Sequence, residues 1–138
     1  MKPKFEKAVA VFACFIWAVS LCACGGEIKN AKTREVASVM YTQADIEAAI
    51  ETILIEFEEN WNGCSLTEIY YSGDETSRAY QDLADGKDAD EVIVLLSSFD
   101  VDSSGGDGSL NPNSTYRNWK WILVRKTGGR WQHVDHGY

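Results

Sequence analysis

The sequence predicts an α+β domain over residues 41–138, with a single antiparallel four-stranded sheet and helices on one side, in the order α-β-α-β-β-β. Two observations carry this expectation. Apolar side chains recur at helical spacing from Ile46 to Trp61, and four later runs rich in β-formers are separated by turn residues. The 138 residues show no internal repeat and no second domain, a length that suits one modest domain.

Each element has its own local reason. Thr42 followed by Asp45 resembles a capping box and opens a helix over 43–61, with Ile46, Ile50, Ile53, Leu54, Phe57 and Trp61 on its apolar face. Asp45, Glu47, Glu51, Glu56, Glu58 and Glu59 fill the other face, a pattern expected of a solvated surface. Asn62-Gly63 stops the helix. Cys64–Tyr71 alternates as a strand, Ser72-Gly73-Asp74 turns the chain, and 75–84 reads as a short helix burying Tyr80 and Leu83. Residues 91–102 form a strand whose Val-Ile-Val-Leu-Leu run is expected to be buried on both faces. A polar loop over 103–114 leads to strands at 115–126 and 130–138. A two-residue Gly128-Gly129 turn would set Leu123 opposite Val134, Trp121 opposite His136 and Trp119 opposite Tyr138 on one face. It would set Ile122 opposite Asp135 and Val124 opposite His133 on the other.

The amino terminus differs from the rest. Lys2, Lys4 and Lys7 precede an uncharged, largely apolar run from Ala8 to Ala23, short for a spanning helix and suited to a signal peptide. Leu21-Cys22-Ala23-Cys24 resembles the bacterial lipobox, which implies a diacylglycerol thioether on Cys24 and cleavage after Ala23. Cys22 would place Leu21 at the small-residue position, so Cys24 fits better. The expected organisation is a signal peptide over 1–23, a lipidated Cys and flexible tether over 24–40, and the domain over 41–138. Loss of residues 1–23 leaves 10 basic and 20 acidic side chains and moves the net charge from −8 to −10. That balance argues against a nucleic-acid partner. Only Cys64 remains in the domain, so no internal disulfide framework is available despite export.

The opening Tyr41-Thr-Gln-Ala-Asp-Ile-Glu-Ala-Ala-Ile50, the stretch Gly63-Cys-Ser-Leu-Thr-Glu-Ile-Tyr-Tyr71, Trp119-Lys-Trp-Ile-Leu-Val-Arg125 and the terminal Trp131–Tyr138 together resemble small lipoproteins of Firmicutes. More broadly, the chain resembles the nuclear transport factor 2-like, or cystatin-like, architecture over residues 41–138. The resemblance implies a curved sheet packed against one long and one short helix, enclosing a cone. Some members use that cone as an active site or ligand pocket and others fill it, so fold alone assigns no function.

Four groups of residues could carry chemistry. Asp100, Asp102 and Asp107, with the glycines beside them, offer oxygens to Ca²⁺, although an EF-hand is excluded because Asn111 stands where the bidentate Glu belongs. Their bland reading is a polar loop capping its own backbone. His133, Asp135 and His136 could supply a general acid and base; in a regular strand His133 and Asp135 share a face that His136 does not, and a metal would need a bulge. Cys64 permits a Cys–His nucleophile. Trp119, Trp121 and Trp131, with Tyr138, could stack on a sugar or an apolar ligand, or simply pack the sheet. The expected role is a binding or interaction domain held by lipid at the outer face of the cytoplasmic membrane, with a small ligand or a cell-envelope protein as partner. A hydrolase, isomerase or dehydratase working in the cone, and a calcium-binding surface module, are the alternatives.

Overall fold

The computed structural model describes residues 25–138, so the expected signal peptide and Cys24 lie outside the described residues. Helix α1 spans Gln43–Asn60, followed by strand β1 (Cys64–Tyr71), helices α2 (Asp74–Ala79) and α3 (Gln81–Gly86), and strands β2 (Glu91–Val101), β3 (Thr115–Arg125) and β4 (Gln132–Gly137). The strands form one open antiparallel sheet in the order β1-β2-β3-β4. The α+β class and the four-stranded antiparallel sheet are as expected.

Helix α1 begins where its chemistry dictates. The Thr42 side chain accepts from the Asp45 backbone N–H, and the Asp45 carboxylate accepts from the Thr42 backbone N–H, completing a capping box. Ile46, Ala49, Ile53 and Phe57 then bury one stripe of the helix. They meet Leu66, Ile69, Ile93, Leu95, Phe99, Trp121 and Leu123 on one face of the sheet.

The helices do not share a side. Val92, Val94, Ile122 and Val124 point away from α1 and pack against Ala84, Leu83 and Tyr80. The expected single short helix is also two, because a tight turn closes at Tyr80, where Tyr80 N–H donates to Ser77 O and Leu83 N–H to Tyr80 O. Both faces of β2 are therefore covered, which is why Val92, Ile93, Val94 and Leu95 are all fully buried. The buried Ser77 hydroxyl accepts the Val94 N–H and fastens α2 to β2.

Three β-bulges change which residues face α1. In β1, Thr67 is inserted between the Leu66↔Phe99 and Glu68↔Ser98 pairs, so Leu66 and Ile69 both reach the core. In β3, two residues lie opposite Ser98, with Asn118 at φ 57°, and Tyr116 thereby joins Trp119 on the α1 face. In β4, Trp121↔His136 and Ile122↔Asp135 pair as expected, but the next pair is Leu123↔His133. Val134 is the extra residue and turns to the far face. The expected pairings of Leu123 with Val134 and Val124 with His133 are thus replaced, because the 126–129 turn is longer than a two-residue hairpin and the bulge restores the register beyond it.

The segment expected to be a tether is docked. Glu27 and Lys32 bridge β1 in parallel: Glu27 N–H donates to Cys64 O, Leu66 N–H to Glu27 O, Lys32 N–H to Thr67 O and Ile69 N–H to Lys32 O. Ile28, Ala31, Val36 and Met40 pack onto the α1 core. Gly26 passes so close to α1 that a Cβ there would stand 2.5 Å from Phe57 O.

Candidate functional site

One end of the molecule gathers the last turn of α1, the 102–114 loop, the start of β3 and the end of β4 around a cleft of about 540 Å³. The helix and its cap contribute Glu56, Asn60 and Trp61, the loop Asp107, Ser109 and Leu110, and the strands Trp119 and His136. Trp61 is the hinge of this surface. Its N–H caps α1 by donating to Phe57 O, its ring stacks on Phe57 at 5.6 Å, and its edges meet Trp119 and His136 at 5.8 and 5.2 Å. The Trp119 indole N–H is shielded from water and has no hydrogen-bond partner.

The β4 bulge brings the two histidines together. His133 and His136 lie on the α1 face with His136 Nδ1 3.2 Å from His133 Nε2, their rings stacked at 5.2 Å over Trp121. Glu56 Oε1 stands 3.6 Å from His133 Nδ1, an ion-pair distance once the ring is protonated. Partial shielding by the neighbouring tryptophans holds the His136 ring, whose residue still reaches solvent, below the usual histidine range, and His133 adds to the effect. Asp135 is not the partner of His133. Its Oδ1 accepts the His136 backbone N–H across the bulge.

The other expected candidates scatter. Trp121 is fully buried, with its indole N–H donating to Ser97 Oγ at 2.7 Å, and acts in packing. Trp131 lies at the far end, donating to Asp45 O and packing on Tyr41. Tyr138 is 72% exposed and packs edge-on to Trp119 beside the cleft. Cys64 touches the cleft but is 2% exposed, and burial, with Asp102 and Asp107 adding, pushes its thiol up to about 11, so it holds its proton near pH 7.

Asp100, Asp102 and Asp107 each serve a separate bond. Asp100 accepts from Thr115 Oγ1, Asp102 from the backbone and hydroxyl of Ser104, and Asp107 from those of Ser109. The serine bonds hold both Asp102 and Asp107 below their ordinary values. Among the described residues no group of three or more His, Cys, Asp or Glu side chains is arranged to hold a metal ion.

Sequence reasoning missed Glu56, Asn60 and Trp61 as site residues. Glu56 read as one of many solvated carboxylates and Trp61 as the last apolar helical position, and only the packing of β4 beside α1 distinguishes them. No protein-family model, curated protein or solved structure matches this chain. No helix among the described residues is long and apolar enough to cross a membrane.

Proposed function

We propose that this chain is an exported, lipid-anchored binding domain whose end cleft takes a neutral or cationic polyhydroxylated ligand of the sugar class. The cleft carries the reading. Two indole rings, Trp61 and Trp119, border polar groups from Glu56, Asn60, Asn62, Asp107 and Ser109, and no Lys or Arg is among its lining residues. Aromatic faces suit the apolar faces of a sugar ring, amides and carboxylates suit its hydroxyls, and two carboxylates without a cation disfavour an anion. Phe57 and Trp121, both fully buried, occupy the space between α1 and the sheet, which favours a surface ligand over a reaction in an interior cone. The helix lying across a four-stranded antiparallel sheet supports the nuclear transport factor 2-like reading, with α2 and α3 as a departure from it.

The lipobox-like Leu21–Cys24 supports the anchor. Gly25 and Gly26 dock against the same end of α1 that borders the cleft, so a lipid on Cys24 would hold that end at the bilayer with no spacer. Titration with neutral oligosaccharides is expected to quench tryptophan fluorescence in a saturable way. Sulfated counterparts should have no effect, and Trp119→Ala should abolish the response. Equal responses to both sets, or none to either, would sink the ligand class. Cys24→Ser is expected to abolish fatty-acid labelling and membrane retention, and unchanged retention would refute the anchor.

A further inference from the structure

We propose that His133 and His136 form a binding site for a divalent transition metal of the zinc type, with Glu56 as its orienting carboxylate. This rests on the β4 bulge and not on the ligand class assigned to the cleft. Two nitrogens each about 2.0–2.1 Å from a tetrahedral Zn²⁺ stand roughly 3.3–3.4 Å apart. His133 Nε2 and His136 Nδ1 are 3.2 Å apart, a spacing at which they share one proton in a hydrogen bond that a metal would replace. A metal would use the lone pairs of both rings, and imidazole is a ligand type suited to zinc, copper and nickel.

The surroundings match what such a pair requires. Trp121 lies at 5.3 and 5.4 Å from the two imidazoles and forms an apolar floor that limits their rotation. Glu56 Oε1 lies 3.6 Å from Nδ1, the opposite nitrogen of His133, on the side from which a carboxylate approaching to hydrogen-bond distance would accept its N–H and leave Nε2 free to ligate. The Asn60 side-chain amide donates to the other Glu56 oxygen and holds the carboxylate in place. Asp135 closes the bulge by accepting the His136 N–H, so both rings stay on one face. With two protein ligands, the remaining positions belong to water or to a molecule in the adjoining cleft, which His136 also lines.

The chain contains only two histidines, which makes the test direct. The full chain in detergent, carrying Cys14→Ser, Cys22→Ser and Cys24→Ser to remove competing thiols, is titrated with Zn²⁺ by calorimetry while the imidazole proton resonances are followed by NMR. One Zn²⁺ per chain is expected, shifting or broadening the resonances of both rings together. His136→Gln, at an exposed position, should weaken binding at least tenfold with an unchanged circular dichroism spectrum, and His133→Gln should do the same. Glu56→Gln should weaken binding by about 10- to 100-fold while both rings still respond. Undiminished binding in His136→Gln would overturn the site and place the metal on the acidic surface. Absence of saturable binding, or an equal response to Ca²⁺, would overturn it as well.

Discussion

Asp74 shows how much one half-buried side chain can hold. Its carboxylate accepts from Ser38 Oγ, the Val39 N–H and Tyr71 OH, joining the docked amino-terminal segment to the β1–α2 corner. These bonds, the Ser38 hydroxyl first, lower its pKa to about 2. In the unfolded chain an aspartate takes up its proton near pH 4. The contribution of Asp74 is therefore complete above about pH 4 and is lost as pH falls from there towards 2. Asp74→Asn should melt at a lower temperature than the parent at pH 7, and the gap between them should close as pH falls through that window. A gap independent of pH would refute the assignment. At the core, Phe57 has no exposed surface and touches Trp61, Phe99 and Trp121, so Phe57→Ala should destabilise the fold by about 3–5 kcal/mol in chemical denaturation.

At the scale of elements, Arg125 ties the start of α1 to three strands. Its guanidinium, 11% exposed, pairs with Asp45 of α1 at 3.2 Å and Glu91 of β2 at 2.8 Å, and it lies 4.2 Å from the Trp131 ring centroid beside β4. Removing it leaves two partly buried carboxylates close together. Arg125→Met should therefore cost about 2 kcal/mol, below the figure for a fully buried pair because both acids retain some contact with water. Denaturant midpoints measured with and without Asp45→Asn would isolate the coupling, and additivity of the two substitutions would refute it.

The extent of these elements was legible in the sequence. Thr42 and Asp45 announce the helix start, Asn62-Gly63 its end, and the β1 limits match the Cys64–Tyr71 run residue for residue. Strict alternation misled at Thr67, Arg117–Asn118 and Val134, where one inserted residue reverses every side chain beyond it. The longer 126–129 turn and the Val134 bulge put His133 on the α1 face, where strict alternation places it on the other.

At the scale of the whole molecule, the amino-terminal segment belongs to the folded unit. It lengthens the sheet at the β1 edge and leaves β4 as the open edge among the described residues. Gly26→Leu would drive a side chain into Phe57 O and the Phe57 ring, so it should release the segment over 26–40. The expected sign is faster limited proteolysis between Glu27 and Met40 with a lower melting temperature, and an unchanged digestion pattern would refute the docking.

By itself the sequence determined the α+β class, the capped amphipathic helix and the order of the strands, because periodicity, capping and turn chemistry act within a few residues. Tertiary structure alone decided that α2 and α3 cover the far face, that residues 26–40 dock on α1, β1 and the start of α2, and that Glu56, Trp61, Trp119, His133 and His136 meet at one end. Each of those outcomes depends on which bulge or buried surface compensates a residue far away in the chain. Local pattern carries no record of such a distance.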